Sequence, residues 1–280
     1  MEEIEILNRF SGSTNKHLVS LLAAYQRGTE CALIFPWAHC NLRDMWSDSE
    51  MWKDKGMPWG NYNQPVKGPG TPLDKKNLLW ILLQCRGIAS GLVQIHHYET
   101  TESRTKVHDQ NRKLYGRHGD IKPDNILLYR NRHDPDDLGT LVITDFGLTR
   151  FHSETQRTYF RKREIPATPT YRPPECVMEN CYISRSFDIW SYGCVLLEFV
   201  AWYLGGWELV QDFVNFRMTI DPLLSRVDSD QFFEVSRPQG LKNSGVTCAT
   251  VKVEVIQVCI LLLLPPISPS SYYWRCGDHD

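Results

Sequence analysis

The chain has 280 residues, 42% apolar and 23% charged, and its 31 basic against 33 acidic side chains give a formal net charge of -2. This is the composition of a soluble globular protein long enough for one large domain or two lobes, and its near-neutral balance gives no electrostatic reason to expect nucleic acid or an anionic membrane as a partner. Nine cysteines, widely spread and without a Cys-x-x-Cys pair, point to neither a disulfide framework nor a zinc site and read as reduced, mostly buried thiols.

Met1-Glu2-Glu3 opens the chain without the basic region and apolar stretch of a secretory signal, so an intracellular location, cytoplasmic or nuclear, is expected. Residues 2–10 then place Ile4, Ile6, Leu7 and Phe10 on one helical face, ended by Ser11-Gly12-Ser13. Two strand-length apolar runs, Leu18 to Leu22 and Cys31 to Phe35, flank the turn-like Gln26-Arg27-Gly28-Thr29. Residues 44–72, rich in Trp, Gly, Pro and charge, read as an inserted surface loop.

Thr71-Pro72 supplies an N-cap and a first-turn proline for a long helix. Leu78, Leu82, Cys85, Ala89, Leu92 and Ile95 recur along it at spacings of three and four, up to His96-His97-Tyr98. Adjacent histidines on a helix point apart, so they read as packing rather than as a metal site. Residues 99–117 are charged and patternless, a second insertion with little core to offer. Two short apolar strands, Ile126-Leu127-Leu128 and Leu141 to Thr144, follow around a polar loop.

Phe187 to Leu204 is apolar nearly all round, as a buried central helix would be. Asp188 within it must then be hydrogen-bonded, because an unpaired buried charge is costly. Gly205-Gly206 ends that helix, and residues 207–217 can form one more amphipathic helix. Residues 240–280 hold a β-branched segment, Val251 to Val258, and a Ser/Pro-rich end. The most apolar run, Val258 to Leu264, is stopped by Pro265 and Pro266 and falls short of the roughly 20 residues that span a bilayer.

The chemistry is concentrated in His118-Gly119-Asp120-Ile121-Lys122-Pro123-Asp124-Asn125 and in Asp145-Phe146-Gly147 at the end of the strand pair. One short loop, turned by Pro123, gathers an acceptor (Asp120), a cation (Lys122) and an oxygen ligand (Asn125), and Asp145 supplies a second, charged ligand. Phosphoryl transfer needs this set: an acceptor for the attacking hydroxyl, positive charge for the transferring phosphate and oxygen ligands for Mg²⁺.

With Tyr171-Arg172-Pro173-Pro174-Glu175 downstream, these motifs resemble those of a eukaryotic-type protein kinase domain from about Glu3 to about Phe216. The resemblance implies an α+β, two-lobe fold, mostly the helical large lobe with a truncated small-lobe sheet. It divides the chain into a small-lobe part at 1–37, a large lobe at 38–239 with insertions at 44–72 and 99–117, and an atypical tail at 240–280. It implies ATP and Mg²⁺ as ligands and a protein bearing Ser or Thr as substrate. Glu3 becomes the helix glutamate that pairs with a strand lysine, and Ile34, Phe35 and Trp37 the adenine-side hinge. Asp120, Lys122 and Asn125 become catalytic, Asn125 and Asp145 metal-binding, and Thr168 the residue that positions substrate by bonding Asp120 and Lys122. His118 and Phe146 stack with Leu7 and Leu21 between the lobes, while Glu175 and Asp188 are structural.

Three departures qualify the resemblance. Gly119 stands where the family has an arginine, so the basic activation segment around Ser153, Thr155, Thr158 and Tyr159 is expected not to depend on phosphorylation. No glycine-rich loop or strand lysine precedes Glu3, which raises the alternative of an inactive pseudokinase fragment that acts as a binding module. His-Gly-Asp with a downstream Asn also resembles small-molecule kinases, against which stand Lys122, Asp145-Phe146-Gly147, Thr168 and Pro173-Pro174-Glu175.

Overall fold

A computed structural model describes residues 6, 7, 10, 14–28, 30–52, 75–99, 113–131, 133–134, 136–153, 167–178, 183–220, 228–236 and 248–263. It mixes helices with several small antiparallel sheets, as the α+β expectation requires. Near the N-terminus Ile6, Leu7 and Phe10 are helical and buried, whereas Glu3 lies outside the described residues.

The two strands expected from the next apolar runs form one hairpin, displaced along the chain. It pairs β1 (Ala23–Arg27) with β2 (Glu30–Ile34) around Gly28, which takes a φ of 61°. Leu18 and Val19, expected to begin the first strand, instead run with His17 along the strand that ends at Ile143. Val19 N donates to Ile143 O at 3.0 Å and Ile143 N to His17 O at 2.8 Å, with Leu18 bridged in parallel to Ile143. Apolar content alone marked Leu18 to Leu22 as a strand; the structure uses Leu18 and Val19 as core anchors and pairs the more polar residues after them.

A three-stranded sheet positions the chemistry: β3 (Cys40–Asn41), β6 (Ile126–Tyr129) and β7 (Thr140–Ile143). Ile126, Leu128, Leu141 and Ile143 are all buried in the core. Following β3, the expected loop over 44–72 is corrected at its start. Residues Leu42–Ser47 form helix α1, capped by the Asn41 side chain, and Ser49–Trp52 form α2. Leu42, Met45 and Trp46 are spaced for one helical face and are buried. Trp52 Nε1 donates to Met45 O at 2.9 Å. The rest of that insertion, 53–72, lies outside the described residues, as does the Thr71-Pro72 cap.

Helix α3 (Lys75–His96) buries Leu92 and Ile95 of the expected face, but its inward face is turned away from Leu82. Leu82 is exposed, while Trp80, Ile81, Gln84, Ile88, Gly91, Leu92 and Ile95 face inward. The cause is glycine. A Cβ on Gly87 would lie 2.0 Å from the His17 ring, and one on Gly91 would lie 3.0 Å from Leu18. Segment 17–19 packs into the groove that these two glycines leave.

The second expected insertion is also partly structured. Strand β4 (Tyr98–Glu99) pairs with β5 (Lys113–Arg117), which pairs in turn with β8 (Arg150–Ser153), and Gly116 and Arg117 are buried. Helix α4 (Ser186–Arg217) is the centre of the molecule, broken at Gly206 (φ 69°), where the two glycines had marked the end of a helix.

The 240–280 region is corrected as well. Of the β-branched stretch Val251 to Val258 only Val251 is extended, at the end of β12 (Cys248–Val251), which pairs with β11 (Phe233–Ser236). Val253–Leu263 is helix α5, with Val255 in the core. Ahead of this region two short strands, β9 (Thr219–Ile220) and β10 (Asp228–Ser229), pair with each other.

By length and composition α3 and α4, rather than the 258–264 run, are long and apolar enough to cross a membrane. Both are core helices here, and α4 carries buried Asp188, Glu198 and Arg217. The seven described thiols are free, and only Cys176 and Cys194 are buried, fewer than the composition implied.

Candidate active site

The loop before β6 is fixed from beneath by α4. Asp188, fully buried, accepts hydrogen bonds from the backbone N–H of His118 and of Gly119, each at 2.8 Å, and pairs with His96 Nε2 at 2.8 Å. A carboxylate with three short contacts is compensated for its burial. The histidine at the end of α3 is therefore a structural partner, as the packing reading had it.

The His118 ring reaches Thr144 O at 3.0 Å and lies 5.4 Å from Phe146, whose other neighbour is Phe10 at 5.3 Å. The sequence had assigned Leu7 and Leu21 to this stack. Leu7 is buried and Leu21 half-buried in the same core, but the aromatic contact on Phe146 comes from Phe10.

Four of the expected site residues converge. Lys122 Nζ is 2.7 Å from Asp120 Oδ2 and donates to Thr168 Oγ1 at 2.9 Å. Thr168 closes the triangle by donating Oγ1–H at 3.0 Å and N–H at 3.2 Å to Asp120 Oδ1. Asn125, in the single 3₁₀ turn Pro123–Asn125, donates Nδ2–H to Asp120 O at 2.9 Å and to Asp120 Oδ2 at 3.0 Å. Burial alone pushes the Asp120 carboxyl up, but the bonds from Lys122 and Thr168 outweigh it and hold the group below its usual range. Asp120 is thus an oriented, ionised acceptor.

Asp145 is brought beside this cluster by the hairpin, because Thr144 N donates to Asn125 O at 3.0 Å. It holds a left-handed backbone (φ 65°), an uncommon conformation for a residue other than glycine, and caps the following turn by accepting from Gly147 N at 3.3 Å. Its side chain is exposed. The donor types suit a Mg²⁺ ion: the amide nitrogen of Asn125 is committed to Asp120, which leaves its Oδ1 as an acceptor, and Asp145 adds a charged oxygen. Magnesium is commonly held by one or two carboxylates with water and substrate phosphate completing its shell.

The remaining expected residues are more scattered. Ile34 is 45% and Trp37 81% exposed, and Phe35 is half-buried, so these three do not form an enclosed face. Glu175 is half-buried and accepts from Ser186 Oγ at 3.4 Å.

A charged chain beside the site was not anticipated. Arg43 of α1 pairs with Asp124 at 3.2 Å and donates to Tyr171 Oη at 2.9 Å. Tyr171 donates to Glu198 Oε2 at 2.7 Å, and Arg217 Nη2 reaches Glu198 Oε1 at 2.8 Å. Burial pushes the Glu198 carboxyl up, against the pull of Arg217, Tyr171 and Arg43. Glu198 sits in the same apolar helix as Asp188, and the requirement for a partner that singled out Asp188 applies equally to it.

Residues 86–208 match the protein kinase domain family. The chain is 34% identical to cyclin-dependent kinase 2 of Caenorhabditis elegans over 128 residues, which is 44% of this chain and 32% of that protein. It is 35% identical over 83 residues to a putative cyclin-dependent serine/threonine-protein kinase of Dictyostelium discoideum, covering 30% of this chain and 11% of the relative. With CTD kinase subunit alpha of Schizosaccharomyces pombe it shares 38% identity over 81 residues, 29% of this chain and 12% of the relative. The chain thus spans a third or less of the length of these relatives. Asp120, Lys122, Asn125 and Thr168, drawn together over a loop that Asp188 anchors, all fall within residues 86–208, the stretch that is similar to a eukaryotic protein kinase domain.

Proposed function

We propose that this chain is a protein serine/threonine kinase that transfers the γ-phosphoryl group of ATP to a protein hydroxyl. The observation that carries the reading is the closed set of contacts among Asp120, Lys122 and Thr168. Asp120 accepts a hydrogen bond from the substrate hydroxyl and takes its proton as the new P–O bond forms and the bond to ADP breaks. Lys122 offsets negative charge on the transferring group, and Thr168 fixes the rotamers of both. Asn125 and Asp145 would hold Mg²⁺, which neutralises phosphate charge when bound.

The test is phosphate transfer from labelled ATP to a library of serine and threonine peptides. Asp120→Asn, which removes the acceptor and little volume, should lower turnover by roughly 10²- to 10⁴-fold with an unchanged circular dichroism spectrum. Asp145→Asn should weaken Mg²⁺-ATP binding as well as turnover. Nucleotide binding without transfer in the wild-type protein would convert the reading to that of a binding module, and equal turnover in Asp120→Asn would remove the catalytic assignment.

A further inference from the structure

Thr168 and Thr170 flank Pro169 at the start of the 3₁₀ turn Pro169–Tyr171, which Arg172 N closes by donating to Pro169 O at 3.2 Å. The proline ring fixes its own φ and narrows the backbone choices of Thr168, so the two threonines move as a unit. Their hydroxyls take different partners. Thr168 donates to Asp120 and accepts from Lys122, while Thr170 Oγ1 donates to Asp230 Oδ1 at 2.7 Å.

Asp230 is half-buried, and its backbone is clamped. Arg217 Nε donates to Asp230 O at 3.1 Å. Lys252, 2% exposed, donates from Nζ to Ser229 O at 3.0 Å and to Arg217 O, and from its backbone N–H to Phe232 O at 3.1 Å. A buried ammonium needs such acceptors, so Lys252 binds the segment 229–232 to the end of α4 and to the start of α5. A line of contacts thus runs from Lys252 through residues 229–232 and Thr170 to Thr168 and Asp120.

We propose that Asp230 is a positioning residue for the candidate site: through Thr170 it holds the turn that aims Thr168 at Asp120 and Lys122, and Lys252 holds Asp230 in place. This rests on the kinase reading above. Asp188 fixes the backbone of the loop, whereas the line from Asp230 fixes side chains that act on the transferring group. Its loss therefore falls on kcat rather than on the KM for ATP.

The experiment measures amide exchange by NMR in the full chain, and kcat and KM by phosphate transfer from ATP to serine peptides. The Thr168 amide donates to Asp120 Oδ1 at 3.2 Å and reports the alignment directly. Asp230→Ala and Thr170→Val should each speed its exchange about ten-fold, the scale of one hydrogen bond. Both should lower kcat by a similar factor and leave the KM for ATP within about two-fold. Amides of residues 199–203 in α4 should keep their wild-type protection. The double variant should be no worse than either single one, because the two side chains act through one contact. Asp230→Asn keeps the acceptor and Thr170→Ser the donor, and each should recover both readouts. Lys252→Met leaves Thr170 and Asp230 intact and should still speed Thr168 exchange.

Wild-type exchange at Thr168 in folded Asp230→Ala or in folded Lys252→Met would overturn the proposal. So would losses that add in the double variant, an Asp230→Asn variant as impaired as Asp230→Ala, or equal acceleration at residues 199–203, which would mark a general loosening of the fold. The variants of half-buried Asp230 and Thr170 keep the test decisive if Lys252→Met is unstable. A wild-type protein that transfers no phosphate counts against the kinase reading alone, since Thr168 exchange still decides the role of Asp230.

Discussion

Gly119 departs from the family pattern for a reason that is visible in its backbone. Its φ of 86° lies in the left-handed region, and a Cβ there would come 3.1 Å from Leu148 O and 3.4 Å from Arg117 Nε. An L-residue at such a φ costs about 1–2 kcal/mol, and a side chain would also have to move Arg117, which is buried against Phe187 at 5.2 Å. Restoring the family's arginine is therefore not a repair. Gly119→Arg should lower unfolding stability by at least about 1–2 kcal/mol in urea titration and should not raise turnover. A variant as stable as the wild type would show that the loop can adopt a φ near -60° while Asp188 keeps both of its amide contacts.

Within single elements, what could be read from sequence depended on whether the information was local. The loop 118–125 was legible because its chemistry, its proline turn and its Asn125–Asp120 contacts all fall within eight residues. Residues 44–52 were not, because the Trp, Gly and Pro of the following stretch masked a short helix whose Leu42, Met45 and Trp46 are buried. Helix α3 misled in another way. Its leucines outnumber its glycines, yet Gly87 and Gly91 decide which face another segment can approach. Helix α4 held a second buried acid that was passed over. Glu198 and Arg217 are 1% and 0% exposed as side chains and face each other across the break at Gly206. Removing one partner of a buried pair leaves an uncompensated charge and typically costs about 3–5 kcal/mol. Arg217→Met should therefore destabilise the domain by that order in denaturant titration, and adding Glu198→Gln should recover part of the loss. If the double variant is no more stable than the single one, the pair is not what holds the two halves of α4 together.

Across the whole molecule, the described residues before 36 and the helical remainder differ in how they are secured. Every residue of β1 is exposed, and β2 is at best half-buried, so the hairpin contributes little core of its own. What fastens this part to the rest is segment 14–19, together with the buried Ile6, Leu7 and Phe10. Asn15 bonds Ser90 at 3.3 Å and Leu18 and Val19 are buried along β7. His17 places its Nδ1 2.7 Å from Leu141 O, with its ring in the gap over Gly87. Burial lowers the pKa of this imidazole, opposed by the bond to Leu141 and helped by Lys16. A histidine whose folded value lies below the unfolded one stabilises the fold fully above the unfolded pKa, about 6.5. That contribution is lost as pH falls through the unfolded value towards the folded one, because the unfolded chain then binds the extra proton. Stability should accordingly decline between pH 7.5 and pH 5.5, with amides 17–19 and Ile143 losing hydrogen-exchange protection before those of residues 187–203. His17→Asn should be less stable at pH 7.5 through lost packing over Gly87, but its stability should vary less with pH across that interval. An equal pH slope in the variant would place the titration on another histidine, and uniform loss of protection in both regions would mean that His17 is not the joint at which the two parts separate.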